Sequence, residues 1–210
     1  MQRKVKIALK RERWALHTNT SIVDKVKVRH HVLEHLGIEN PRILDCFCAK
    51  GEMWREAYSS TENYIGLDLE RFHDARDTLI CDNTRFLRQA DLDQFDVFDL
   101  DAYGSPFECL AIIAHRLKWS RTKRIGIVLT DGTGMNSKLN AMNREFLGWI
   151  GAKTHMKTKV QMNNRENFIV AGMMRAAALA DAKIENVLVA YKDKGGASMR
   201  YIGYIMSRGE

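Results

Sequence analysis

The sequence predicts an α/β domain built on a mostly parallel sheet, with helices on both faces and an antiparallel strand at the C-terminal edge. Three observations carry that prediction. Short β-branched runs alternate with helical stretches along the first two thirds of the chain, the pattern of repeated βα units. The chain closes with two strand-like runs, Ile184 to Lys192 and Met199 to Met206, around Lys194-Gly195-Gly196, which reads as a hairpin. Finally, 210 residues with 45% hydrophobic character and only two prolines suit one domain with a single large core.

The elements follow in order. Ser21 with Asp24 three residues on is a capping-box pattern, opening an amphipathic helix through Leu36 that Gly37 ends. Strands are expected at Ile43–Leu44, Tyr64 to Leu67, Thr78 to Cys81, Phe95 to Leu100 and Ile125 to Leu129. Between and after them, helices are expected over Gly51 to Tyr58, Asn83 to Ala90, Pro106 to Trp119 and Lys138 to Trp149. Asn163, followed by Glu166, is expected to cap a long helix through Ala180. Residues 21–210 thus form one domain, and residues 1–20 read as a basic N-terminal arm.

Composition narrows the function classes. No apolar run approaches the ~18 residues of a membrane span, and the charged start from Arg3 to Arg13 is unlike a secretory signal, so a cytoplasmic protein is expected. Cys46, Cys48, Cys81 and Cys109 make no disulfide framework and no C-x-x-C zinc pair, and read as reduced, packed thiols. The net charge of +7 is unevenly spread. Residues 1–42 carry ten Lys/Arg against four acids, residues 62–101 eleven acids against four arginines, and residues 102–210 seventeen bases against eight acids. A basic start and a basic second half around an acidic middle suit a polyanionic partner held near a site that needs carboxylates.

In such a sheet, ligands bind at the carboxyl ends of the strands. The first strand runs into Asp45-Cys46-Phe47-Cys48-Ala49-Lys50-Gly51, an acid followed by a small-residue loop that lets backbone approach a ligand closely. The second ends in Asp68-Leu69, 23 residues after Asp45, where a carboxylate can take both hydroxyls of a ribose. The third ends in Asp82-Asn83, which could equally cap the next helix. The fourth reads Asp99-Leu100-Asp101-Ala102-Tyr103-Gly104-Ser105-Pro106.

The first loop resembles the D-x-F-x-[AG]-x-G motif of class I S-adenosylmethionine-dependent methyltransferases, which have a Rossmann-like fold with a seven-stranded sheet. The fourth-strand segment resembles the D-P-P-Y type motif of amino methyltransferases, and more closely the D-x-D-P-[FY]-G-S-P form of tRNA guanine-N2 dimethyltransferases. Ala102 stands where that form has proline. Leu129-Thr130-Asp131-Gly132 is similar to the same family's T-D segment. The resemblance covers about residues 40 to 206 and does not extend to that family's additional C-terminal domain. It implies S-adenosylmethionine as cofactor, held by Asp45, Phe47, Ala49, Gly51, Asp68, Leu69, Asp82, Asn83 and Asp99. It implies catalysis at Asp101, Ala102 and Tyr103, with nucleic acid, RNA before DNA, as the partner. In that chemistry the carboxylate and a backbone carbonyl each accept one N–H of an exocyclic amine, orienting its lone pair, and an aromatic ring stacks on the base.

Competing readings are weaker. His31-Val32-Leu33-Glu34-His35 matches a zinc-protease pattern, but no third ligand context accompanies it, and no metal is expected. Neither Pro41 nor Pro106 adjoins a cysteine nucleophile, which disfavours covalent cytosine methylation. Methyl transfer to a protein or small amine remains open. So does a catalytically inactive nucleic-acid-binding module using the arm's Trp14 and His17.

Overall fold

The computed structural model of the chain describes residues 21–132, 142–192 and 199–209. Seven strands form one sheet: β1 (Ile43–Asp45), β2 (Tyr64–Asp68), β3 (Thr78–Ile80), β4 (Val97–Leu100), β5 (Arg124–Asp131), β6 (Ala182–Lys192) and β7 (Met199–Arg208). Their spatial order is β3-β2-β1-β4-β5-β7-β6, so the chain reverses direction across the sheet between β1 and β4. The first five strands pair in parallel, while β7 is antiparallel to both β5 and β6. A mostly parallel sheet closed by an antiparallel strand is what the sequence predicts. The strand-like run at Phe95 and Asp96 pairs only from Val97 onward.

Helices α1 (Ile22–Leu36), α2 (Asn83–Gln89), α3 (Phe107–Arg116), α4 (Arg144–Trp149), α5 (Thr158–Asn163) and α6 (Arg165–Leu179) accompany the sheet. Successive strand residues face opposite layers. Leu44, Phe98, Ile127 and Leu129 join one core with Leu110 and Ile113 of α3 and Ile169, Met173 and Ala176 of α6. Ile43, Val97, Val128 and Ile205 join the other, under Val28, Val32 and Leu36 of α1 and Tyr58. Both faces are therefore covered.

Two glycines set how deeply α1 sits. A Cβ at Gly126 of β5 would lie 2.3 Å from Val32, and one at Gly203 of β7 2.7 Å from the Val28 carbonyl. Any side chain there would lift the helix. Seated this closely, α1 turns Lys25 and Arg29 towards the end of β4.

Several expected boundaries need correction. Ser21 stands at the N-cap of α1, but its hydroxyl makes no capping hydrogen bond; only its carbonyl accepts, from the Lys25 amide at 3.2 Å. Asn163 does not cap the long helix: it ends the separate α5, and α6 begins at Arg165 after Asn164, whose side chain donates back to the Val160 carbonyl. α3 stops at Arg116 rather than Trp119 because Asp93 collects the amides of Lys118, Trp119 and Ser120, pulling that stretch out of helical conformation. Of the helix expected from Lys138 to Trp149, residues 138–141 lie outside the described residues, and the described helix starts after Asn143, which caps the Glu145 amide. The Gly51 to Tyr58 helix is present, with a π-helical turn over Trp54–Tyr58. The basic arm and the Lys194-Gly195-Gly196 turn also lie outside the described residues.

Candidate active site

The loop after β1 is shaped by positive backbone angles. Ala49 has φ 40° and Gly51 φ 75°. Its amides and carbonyls are tied to its neighbours: Cys48 N donates to Leu67 O at 3.1 Å, and Ala49 N to Asp68 Oδ2 at 3.0 Å. Arg76, buried beneath it, donates from Nη1 to Cys48 O and from Nη2 to Ala49 O, each at 2.9 Å, while Asp74 holds its other edge. A Cβ at Gly51 would meet the Arg76 guanidinium at 2.6 Å, which is why glycine stands there. Arg76 left no local signal, because it lies 27 residues from the loop it fixes.

Asp45 and Asp99 are partners in register between β1 and β4, at the point where strand order reverses. Both are buried. Asp45 accepts from the Phe47 amide at 3.1 Å and from the Tyr64 hydroxyl at 2.8 Å. Burial, and next the Asp99 charge, push its carboxyl up to about 7. Asp99 is 0% exposed and accepts from Arg29 Nε (2.6 Å), Arg29 Nη2 (2.9 Å) and Tyr58 OH (2.8 Å). In this arrangement it offers a ligand no atom and acts as the anchor of Arg29.

The ends of β2 and β3 are more open. Asp68 accepts two amides, Ala49 N and Glu70 N at 3.0 Å, one on each oxygen, leaving each a further lone pair. Leu69 beside it is 72% exposed. Asp82 is exposed and caps α2, taking the Arg85 amide at 2.8 Å and the Thr84 hydroxyl at 2.6 Å, and those hydrogen bonds lower its pKa. Asn83 Nδ2 donates to the Cys46 carbonyl at 3.3 Å, tying α2 to the β1 loop. Phe47 is half-buried.

Asp101, the expected acceptor carboxylate, carries two cations of α1. Lys25 Nζ lies 2.8 Å from Oδ1 and 2.6 Å from Oδ2, and Arg29 Nη2 lies 3.2 Å from Oδ2. Burial would raise its pKa, yet Lys25 and then Arg29 carry it below the usual carboxylate range. Ala102 is buried, whereas Tyr103 is 63% exposed at the surface of the loop. The loop after β5 closes on this segment, with Gly132 N donating to Gly104 O at 2.8 Å. Asp131, at the end of β5, is held by Arg165 at the start of α6, Nε to Oδ2 at 2.6 Å and Nη2 to the Asp131 carbonyl at 2.8 Å.

Sequence reasoning missed Lys25, Arg29 and Tyr58. A signal existed: Lys25 and Arg29 are spaced i, i+4 on the same stripe as Val28, Val32 and Leu36, so a helix burying its apolar face must bury two cations. Elsewhere, His31 Nε2 contacts the Asn186 carbonyl and His35 Nδ1 the His31 carbonyl. Among the described residues no three His, Cys, Asp or Glu cluster to hold a metal, and no helix is long and apolar enough to cross a membrane. Burial pushes the Cys46 and Cys48 thiols up, Cys48 to about 12.

No family model matches the chain, and no curated protein matches it in sequence. Solved structures do. Trm1 from Pyrococcus horikoshii, in complex with S-adenosyl-L-methionine, is 20% identical with a TM-score of 0.54, over 86% of this chain and 54% of that one. The chain thus spans about half the length of that protein. TYW2 from M. jannaschii, in complex with AdoMet, is 11% identical with a TM-score of 0.51, over 89% of this chain and 77% of that one. The plantazolicin methyltransferase BpumL, in complex with a triazolic desmethylPZN analog and SAH, is 11% identical with a TM-score of 0.54, over 98% and 91%. These likenesses establish the Rossmann-like fold that the sequence predicts.

Proposed function

We propose that the chain is an S-adenosylmethionine-dependent N-methyltransferase acting on an exocyclic amine of a nucleic-acid base, with guanine N2 of a tRNA-like RNA as the first candidate. The observation that carries this is the placement of an Asp-Ala-Tyr-Gly-Ser segment at the carboxyl end of β4, beside the β1 loop at the reversal of strand order. The likeness to proteins solved with S-adenosylmethionine or its demethylated product supports the same cofactor here.

The residues present fit that cofactor. Asp68 retains a lone pair on each oxygen for two ribose hydroxyls, exposed Leu69 offers apolar cover, and Asp82 and Asn83 stand where an adenine amino group would be met. The loop from Phe47 to Gly51 brings its backbone to the ligand, with Asp45 and Asp99 beneath it. When bound, the cofactor supplies a methyl group on a sulfonium, ready to leave a neutral thioether. The chain's task is then to orient the acceptor. Asp101 and the Ala102 carbonyl each accept one N–H, the nitrogen lone pair is aimed at the methyl carbon, and the carboxylate offsets the positive charge that grows on nitrogen until its proton passes to water. Tyr103 offers its exposed ring for stacking. The basic arm of residues 1–20 adds phosphate contacts.

A second reading, methyl transfer to an amine of a peptide or small molecule, draws on the likeness to plantazolicin methyltransferase. One experiment separates the two: a transfer screen with methyl-labelled cofactor across tRNA, rRNA, DNA, peptides and small amines, run beside Asp101→Ala. Label in RNA, with turnover falling about a hundredfold in the variant while cofactor affinity stays within a few-fold, is the expected result. Label in peptides or small amines alone moves the assignment to the second reading. No S-adenosylhomocysteine binding by calorimetry would overturn both.

A further inference from the structure

We propose that Lys25 is an exchangeable counter-ion that closes the acceptor carboxylate at rest, and that the amine to be methylated gains Asp101 by displacing it. This deepens the reading above and rests on Asp101 being the acceptor-binding carboxylate.

The two cations on Asp101 are held very differently. Arg29 is 0% exposed, spreads its fork over both oxygens of Asp99, donates from Nη1 to the Lys25 carbonyl at 2.9 Å, and reaches Asp101 with one nitrogen only. It cannot leave without stranding a buried carboxylate. Lys25 has no such second anchor among the hydrogen bonds described. Its ammonium sits on both oxygens of Asp101, with side-chain exposures of 9% and 11% for the pair, and lies 5.7 Å from the Tyr201 ring centroid. Its four-carbon stem is flexible and its charge a point, so it can swing aside once another donor takes its place on Asp101.

Charge accounting says what the exchange does. Arg29, Lys25, Asp99 and Asp101 sum to zero when all are ionised, and a neutral cluster offers little to a nitrogen becoming cationic. With Lys25 withdrawn the same cluster carries −1, beside the oxygen atoms that would receive the amine N–H groups. The incoming nitrogen, positive as it gains the methyl group, then takes the place of the ammonium it displaced. One cation replaces another on Asp101: the cluster stands at −1 while the neutral amine is bound and returns to neutrality as the nitrogen gains the methyl group. Lys25 thereby selects against acceptors unable to compete for a carboxylate, such as thiols and ethers.

Sinefungin provides the probe, because it carries a protonated amine where the cofactor carries its methyl-bearing sulfonium, while S-adenosylhomocysteine lacks both. Calorimetry should give the unaltered protein a sinefungin-to-homocysteine-analogue affinity ratio near one. Lys25→Met and Lys25→Gln should raise that ratio tenfold or more with S-adenosylhomocysteine affinity within threefold, and Lys25→Arg should leave it as it was. An unchanged ratio in folded Met and Gln variants overturns the proposal. Should both fail to fold, the unaltered chain decides by NMR: the ion-paired Lys25 ammonium resonance should survive S-adenosylhomocysteine and be lost to water exchange with sinefungin, and persistence in both overturns it. If S-adenosylhomocysteine does not bind at all, the cofactor reading fails instead, a result distinguishable from failure of the exchange alone.

Discussion

The two halves of the strand-end rim are built on opposite electrostatic plans. At β2 and β3 the acids face outward: Asp68 and Asp82 accept mainly amides and a hydroxyl, and neither has a cationic side chain among its hydrogen bonds described here. At β4 and β5 every acid of the rim is clamped: Asp99 by Arg29, Asp101 by Lys25 and Arg29, and Asp131 by Arg165, all from helices distant in sequence. An acid that merely accepts hydrogen bonds from a neutral ligand works best when hydrated and unpaired. An acid that must meet developing positive charge in a dry site cannot be left alone between turnovers, since an uncompensated buried carboxylate is costly. In the proposed reading the clamped half therefore carries the structural stakes together with the acceptor amine, and the open half the cofactor.

Breaking the clamped half should have the largest effect. Arg29→Met leaves Asp99 and Asp101 without their buried partner and should destabilise the fold by about 3 to 5 kcal/mol, read by urea denaturation. Adding Asp99→Asn to it should recover part of that loss. A loss below about 1 kcal/mol for Arg29→Met alone would mean that the cluster relaxes and that the contrast between the halves is not energetic.

The Asp45–Asp99 register pair tests the same contrast through pH. Asp45 holds its proton up to about 7 in the folded chain, against about 4 unfolded. Between those values the folded state binds more protons than the unfolded one, so this group's contribution to stability falls as pH rises from about 4 to about 7, by up to a few kcal/mol, and is level above that. Asp45→Asn keeps an acceptor for the Phe47 amide and should flatten that slope, with a higher melting temperature at pH 8 than the unaltered chain. Parallel slopes in both proteins would show that another group titrates.

The contrast between the halves also marks what the sequence could disclose. The alternation of strands and helices, the β1 loop and the strand-end acids were legible because each is a local pattern: an apolar run, then an acid, then small residues. The clamps were not, because Lys25 meets Asp101 across 76 positions and Arg29 meets Asp99 across 70. Helix caps failed for a related reason. Ser21 stands where the local rule puts it and α1 begins after it, but its hydroxyl makes no cap, and Asn163 falls at the end of α5, so that α6 begins at Arg165. Arg76 is the same lesson in the open half, a distant side chain that sets the shape of a locally recognisable loop.

In the open half, effects should appear in binding rather than in folding. Asp68→Ala removes the carboxylate that accepts the Ala49 and Glu70 amides and, in the proposed complex, two ribose hydroxyls. S-adenosylhomocysteine affinity should weaken by about 1.5 to 3 kcal/mol, tenfold to somewhat over a hundredfold, with the melting temperature little changed. Calorimetric affinity equal to that of the unaltered protein would move the ribose contact elsewhere on the rim.

The smallest effect is expected at Ala49, where the chain departs from a purely glycine loop. Its φ of 40° lies in the left-handed region, which costs a residue with a Cβ roughly 1 to 2 kcal/mol. Ala49→Gly should relieve that cost, but glycine gives back roughly 0.5 to 1 kcal/mol in unfolded-chain freedom, so the net gain should be at most about 1.5 kcal/mol. The amide that donates to Asp68 is unchanged by the substitution, as are the Arg76 bonds to the loop carbonyls, so the loop should keep its shape. S-adenosylhomocysteine affinity should then stay within threefold. A tenfold loss would mean that the exposed methyl group of Ala49 itself packs against the bound ligand, making it a contact of the open half rather than a tolerated strain.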